Sequence, residues 1–267
     1  MSRGGARLSP AAVDMLWEML DLGAPPAIFE VPGAGVTLDD RARIRETVVA
    51  DLTRHGLVDR HGTVDPDLVE SLTLLSRAPL AVEALGVLSD GQRLCARAAS
   101  NDRTAVLAVL RDQSVHLERI RPTGMVAATL DLIGPARPGR GRSVTFPATP
   151  PARPATNRAA APERAGGVLQ RSYPTPAGHS AERERARLIL DQPRTQAGVY
   201  VVLSRDGGRP ETERGVLLWF DTPSGRYLGH HKPGQGGQTW TTYAPADNAR
   251  LAHHLSELIT GSREGNP

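Results

Sequence analysis

The sequence predicts an α+β protein built on a central antiparallel β-sheet, and three observations carry that prediction. The first is a repeated order of elements. Residues 66–76 have helical spacing and lead into four short alternating runs at 83–89, 93–99, 104–111 and 114–121, closed by a helix at 123–133. Residues 181–191 lead likewise into runs at 198–204, 212–221, 225–231 and 238–243, closed by a helix at 247–260. The second observation is turn chemistry: Asp90-Gly91 and Asn101-Asp102 join consecutive runs as hairpins, which are antiparallel. The third is the lack of strand–helix–strand alternation, which argues against the usual nucleotide-binding architectures. The chain therefore reads as two quasi-repeated helix/four-strand-meander/helix units in a single domain. An N-terminal half spans 1–134, a Pro/Ala/Arg-rich mobile linker 135–179, and a C-terminal half 180–261.

Each element has a local cause. Ser9-Pro10 opens the first helix, Ser as cap and Pro at the first helical position, and Val13, Leu16, Trp17 and Leu20 form its apolar face. Gly23-Ala24-Pro25-Pro26 ends it, an extended run is expected at 27–31, and Pro32-Gly33-Ala34-Gly35 turns the chain. Thr37 caps the next helix, Asp39 and Asp40 suit its positive end, Ile44, Val48 and Leu52 make its stripe, and Gly56 is a left-handed stop. Asp65-Pro66 caps a third helix running through Leu68, Leu72 and Leu75. In 104–111 both alternating sets are apolar, Val106, Ala108 and Leu110 against Ala105, Leu107 and Val109, so this strand is covered on both sides. Prolines recur through 135–178, and only a short strand at 143–146 is expected there. Tyr200, Trp219, Phe220, Tyr227, Trp240 and Tyr243 place six of the ten aromatics in the second meander. Asp247 caps the last helix, with Leu251, Leu255, Leu258 and Ile259 as its stripe and Gly261 as its stop.

A chain of 267 residues, 39% hydrophobic and 23% charged, can bury a substantial core. No run reaches the roughly 18 apolar residues of a membrane span, and the first residues lack the apolar stretch of a secretory signal, so a cytoplasmic location and no membrane insertion are expected. One cysteine, Cys95, excludes an internal disulfide and a multi-cysteine zinc site. The sequence pI near 9.5 is misleading. Residues 136–178 hold seven arginines against one acid, Glu163, a local charge of +6 within a chain of +3, so everything else sums to −3. The basicity belongs to one segment, and Lys232 is the only lysine, a bias better explained by a GC-rich genome than by phosphate contacts.

No catalytic, cofactor or metal constellation emerges. His230-His231 lies on a strand, where neighbours point to opposite faces, and His253-His254 lies on a helix about 100° apart; neither pair suits one metal ion. Cys95 stands beside Arg93 and Arg97, but a lone strand cysteine reads as a small hydrophobe. There is no Gly-x-Ser-x-Gly elbow, and neither 139–143 nor 234–237 has the helix-linked pattern of a phosphate loop.

Three segments carry a resemblance instead. They are Gly23-Ala24-Pro25-Pro26, then His55-Gly56-Leu57-Val58-Asp59 followed by Asp65-Pro66-Asp67-Leu68, and last Asp221-Thr222-Pro223-Ser224-Gly225-Arg226-Tyr227 with Trp240-Thr241-Thr242-Tyr243-Ala244-Pro245-Ala246-Asp247. In this order, over 8–134 and 180–260, the chain resembles the EspG family of type VII (ESX) secretion-associated proteins of actinobacteria. The resemblance implies a cytosolic, non-enzymatic chaperone with a central sheet and two helical bundles. It implies that the sheet and the C-terminal bundle hold the apolar tip of a helical PE/PPE-like heterodimer, keeping it soluble for export. One departure stands out. The family's Leu-bearing helix after the strand at 143–146 would correspond to 148–167, which here is rich in Pro, Ala and Arg and has no leucine. If that helix is missing, the client groove is altered or completed by the partner.

On this reading the partner-binding candidates are Trp219, Tyr227 and Trp240 on the sheet, with Asn101, Asp102 and Arg103 at the rim. The competing reading for any one aromatic is burial in the core. Uncovered sheet edges permit a homodimer when the client is absent. The alternative function is a nucleic-acid or acidic-surface binder acting through 136–178, disfavoured because the segment has one aromatic near its end, Tyr173, and no stacking platform. A hydrolase has no supporting constellation.

Overall fold

The computed structural model describes residues 5–29, 33–148, 177–207, 209–234 and 238–264. Ten strands form one sheet in the order β1-β5-β4-β3-β2-β7-β8-β9-β10-β6, with every neighbouring pair antiparallel. The strands are β1 Gly5–Leu8, β2 Leu80–Val87, β3 Arg93–Ser100, β4 Ala105–Arg111, β5 Ser114–Ile120, β6 Val144–Pro147, β7 Gln196–Ser204, β8 Thr212–Thr222, β9 Gly225–Pro233 and β10 Thr239–Pro245. The helices are α1 Pro10–Met19, α2 Leu38–Arg54, α3 Pro66–Arg77, α4 Met125–Asp131, α5 Ala177–Leu190 and α6 Asn248–Glu264. Each meander runs outward from the centre. β2 and β7 meet along the seam, where Leu80–Val87 pairs residue for residue with Ser204 back to Ala197. Gly86 and Gly198 face each other across that seam, and a Cβ on either would run into the opposite backbone carbonyl. Trp219 packs over Gly198, its partner on β8.

Two helical layers cover the sheet. On one face, here the front, α1, α2 and α3 seal the N-terminal strands through Leu16, Leu52, Leu72 and Leu75 against Ala99, Val106 and Leu117. Also on the front, α5 packs Ala186 and Ile189 against Val144, Phe220 and Tyr227. On the back, α4 and α6 share one core with Leu107, Tyr200, Leu217 and Trp219, in which Leu130, Leu251 and Leu255 are buried. The doubly apolar β4 divides as its alternation requires, Val106 and Ala108 to the front and Leu107 and Val109 to the back.

The capping chemistry appears as expected. Ser9 Oγ accepts from the Ala12 N–H at 3.2 Å, Thr37 Oγ1 from Asp40 at 3.1 Å, Asp65 Oδ1 from Leu68 at 3.0 Å and Asp247 Oδ1 from Arg250 at 2.9 Å. Gly56 has a φ of 71°, the left-handed stop after α2. Several expectations need correction. Residues Ala27–Phe29 form a 3-10 turn whose Ile28 and Phe29 are buried, not an extended run, because Pro25 and Pro26 start a tight turn that drops both side chains onto the core. The helix expected at 123–133 divides into a 3-10 turn, Pro122–Gly124, and α4, since Gly124 lacks a helix-favouring side chain. Gly261 does not stop α6, which continues to Glu264. The edge strand β1 had no sequence expectation. Part of 135–148 beyond the short strand is also held: Gly139 donates to the Arg226 carbonyl at 2.7 Å and the Tyr227 hydroxyl to that of Arg140 at 2.9 Å. Residues 149–176 of the expected mobile linker, and with them nearly all of the 148–167 departure, lie outside the described residues.

Candidate functional site

The front face is sealed at its two ends and thinly covered in the middle. Between the α1–α3 layer and α5, strand alternation sets apolar side chains in rows that cross three strands. One row is Leu85, Val199 and Leu218, and the next is Glu83, Val201 and Val216. Their apolar members are half-buried, whereas Tyr200 and Val202, one step along β7 and facing back, are fully buried. Val87, at the end of β2, is 50% exposed, and Leu188 on α5 is 65% exposed. An apolar strip on a sheet face, left half open while its reverse is sealed, is the form that protein-docking surfaces take.

One flank of the strip is polar and rigid. Arg97 on β3 is 1% exposed; its guanidinium donates to Glu83 at 2.6 Å and also meets Glu211, which precedes β8. Arg205 lies 3.7 Å from Glu211 and donates to the Ser76 carbonyl at the end of α3 at 3.0 Å. The β7–β8 connection is thereby tied to the N-terminal half, and the β7–β8 ladder shifts register between Val202 and Leu203 just before it.

The six candidate residues do not form one surface. Trp219 and Tyr227 are 0% and 1% exposed, so neither presents a surface in this structure. They also lie on opposite faces: Trp219 stacks on Tyr200 at 6.3 Å between centroids in the back core, and Tyr227 stacks on Phe220 at 5.5 Å beneath α5. α6 and α5, distant in sequence, cover these strands, and period-two alternation says which side chains share a face but not which face is roofed. Trp240 is half-buried on β10 beside Gly234. Asn101, Asp102 and Arg103 are exposed at the β3–β4 hairpin tip, at the same end of the sheet as the β7–β8 connection, since Leu80 pairs with both Ser100 and Ser204. The tip is preformed: Asn101 Oδ1 accepts from the Arg103 and Thr104 N–H groups at 3.1 and 2.9 Å, and Asp102 holds a φ of 71°.

Sequence reasoning missed two features. One is the open strip, whose signal was the Val199-Tyr200-Val201-Val202-Leu203 run, apolar on both faces like β4 but with one face short of helices. The other is Arg226, fully buried inside the Asp221–Tyr227 segment that carries part of the family resemblance. All five of its N–H groups find acceptors: Asp221 at 2.7 and 2.9 Å, the carbonyls of Gly134 at 3.0 Å and Ile133 at 3.2 Å, and the Asn248 side chain. It joins the end of α4, the β8–β9 hairpin and the start of α6.

The arrangement offers hydrophobic contact rather than reaction chemistry. Cys95 is 3% exposed within the front core, and burial raises the pKa of the Tyr200 phenol, which keeps it neutral. Among the described residues no group of three or more His, Cys, Asp or Glu is placed to hold a metal ion, and no helix is long and apolar enough to cross a membrane.

Comparison with known proteins agrees with this architecture. The chain is 24% identical over 259 residues to the ESX-3 secretion-associated protein EspG3 of Mycolicibacterium smegmatis, covering 95% of this chain and 86% of the relative. Its fold matches, with a TM-score of 0.64 and 13% identity over 96% of this chain and 95% of the other, the Mycobacterium tuberculosis type VII secretion system chaperone EspG5, solved in complex with a PE25–PPE41 dimer. The EspG family model matches residues 9–257, nearly the whole chain, and this protein therefore belongs to the EspG family.

Proposed function

We propose that this protein is a cytosolic, non-enzymatic chaperone of type VII secretion that holds the apolar tip of a helical PE/PPE-like pair and keeps it soluble for export. The observation that carries the reading is the half-open apolar strip of Leu85, Val199, Val201, Val216 and Leu218. Strands lie about 4.8 Å apart, so three of them make a floor about 10 Å across, the diameter of one α-helix. A helical tip would restore the missing cover on the front face and bury its own apolar side chains in return. Asn101, Asp102 and Arg103 form the polar rim of this contact, whereas Trp240 alternates with Tyr243 to the back side of β10, the side of Ala244, apart from the strip. Family membership and the complex formed by the structurally similar EspG5 support the client class.

The finer organisation follows the same reading. Both halves run edge strand, helical segment, four-strand meander and closing helix, so we take them as a duplicated unit within one domain, joined by the Pro/Ala/Arg-rich linker. The test is co-expression with the helical pair encoded beside the gene, followed by size-exclusion chromatography. A co-eluting complex and increased client solubility are expected. Separate elution with no gain in solubility would overturn the proposal.

A further inference from the structure

We infer that the contact between α6 and β9 is an acid-sensitive clasp, in which His230 on the sheet and His254 on the helix hold α6 down while both are neutral and release it when both are protonated. The two imidazoles lie 5.2 Å apart between centroids, tilted by 36°, at the junction of the C-terminal helix and the back face. His230 is half-buried, and its Nδ1 is shielded from solvent with no hydrogen-bond partner, so no hydrogen bond there offsets the burial of a charged ring. His254 Nδ1 lies 3.1 Å from Glu257 Oε2, one turn along α6, and His253 lies 5.6 Å from His254.

The charges around the pair favour neutrality. Burial is the main cause of the depressed His230 pKa, about 4, with His254, Lys232 and His231 adding to it and Glu257 opposing. His254 is depressed mainly by burial, with Arg250 and His253 adding and Glu257 opposing. The other cross-strand neighbours of His230, Leu217 on β8 and Thr242 on β10, carry no charge. Both imidazoles thus bind protons more weakly in the folded than in the unfolded protein. Their stabilising contribution is complete above about pH 6.5, the ordinary histidine value, and is lost as pH falls toward the depressed values. The loss concentrates on α6, whose Leu251 and Leu255 close the back core over Tyr200 and Trp219.

The test is hydrogen exchange of the full chain between pH 7 and pH 4.5, corrected for intrinsic rates, with histidine NMR titration alongside. Exchange in 251–259 should rise about tenfold more than in 68–75 of α3, and His254→Gln should reduce that difference and raise the pKa of His230. Equal loss of protection in α6 and α3, or a His230 that titrates near 6.5 in the unmodified protein, would overturn the clasp. The titration decides the matter even if His254→Gln fails to fold.

Discussion

Replacing Arg226 with methionine should cost as much stability as truncating a large core side chain. The side chain is fully buried and spends all five donors on Asp221, Ile133, Gly134 and Asn248. Its loss leaves the Asp221 carboxylate, 12% exposed, with only the Gln196 amide at 2.7 Å, and takes one of two donors from each of the Ile133 and Gly134 carbonyls, which keep the amides of Gln196 and Asn248. Removing one partner of a buried ion pair costs about 3–5 kcal/mol, a large part of a typical domain stability of about 5–15 kcal/mol. For a chain of this length that corresponds to a fall in Tm on the order of 10 °C. Urea denaturation measures it, and the double variant Asp221→Asn with Arg226→Met isolates the pair. With both charges gone the buried carboxylate no longer lacks its counter-ion, so the double variant should be more stable than Arg226→Met alone. An Arg226→Met protein within about 1 kcal/mol of wild type, or strictly additive effects, would refute the assignment of Arg226 as the buried link between α4, the β8–β9 hairpin and α6.

Three further outcomes follow from the same geometry. Val87→Lys, at a half-exposed end of the strip, should weaken client binding about 30-fold or more in titration calorimetry while leaving the melting curve nearly unchanged. Trp219→Ala should destabilise by about 3–5 kcal/mol in urea, whereas Trp240→Ala, half-buried at β10 on the side away from the strip, should cost far less and leave client affinity nearly unchanged. Gly198→Ala should lower stability by about 1–3 kcal/mol, because the added methyl meets the Leu85 carbonyl and the Trp219 ring; the same substitution at exposed Gly91, where nothing lies near the Cβ, is strained only by its φ of 80°.

The gap between sequence and structure falls where contacts are long-range. β6 was visible because it alternates inside a proline-rich stretch, but β1 is four residues, Gly-Ala-Arg-Leu, with no period to read. It exists because β5 offers an unpaired edge. The segment from Asp221 to Tyr227 looked like turn chemistry and is a turn, yet nothing local shows that Arg226 is drawn inward by acceptors at 133, 134 and 248. Trp219 and Tyr227 were candidates for contact because aromatics are enriched in interfaces. The same large apolar area makes them the first residues a covering helix buries.

Local signals were sufficient for the element types, most of their caps and the antiparallel hairpins, because a Ser, Thr or Asp cap and a two-residue turn act on neighbours within four positions. The joining of the two meanders at β2 and β7, and the uneven roofing of the front face, were decided only in three dimensions. Alternation divides each strand into two sides. Which side stays open depends on where helices from elsewhere in the chain come to rest, and that is a property of packing rather than of any local pattern.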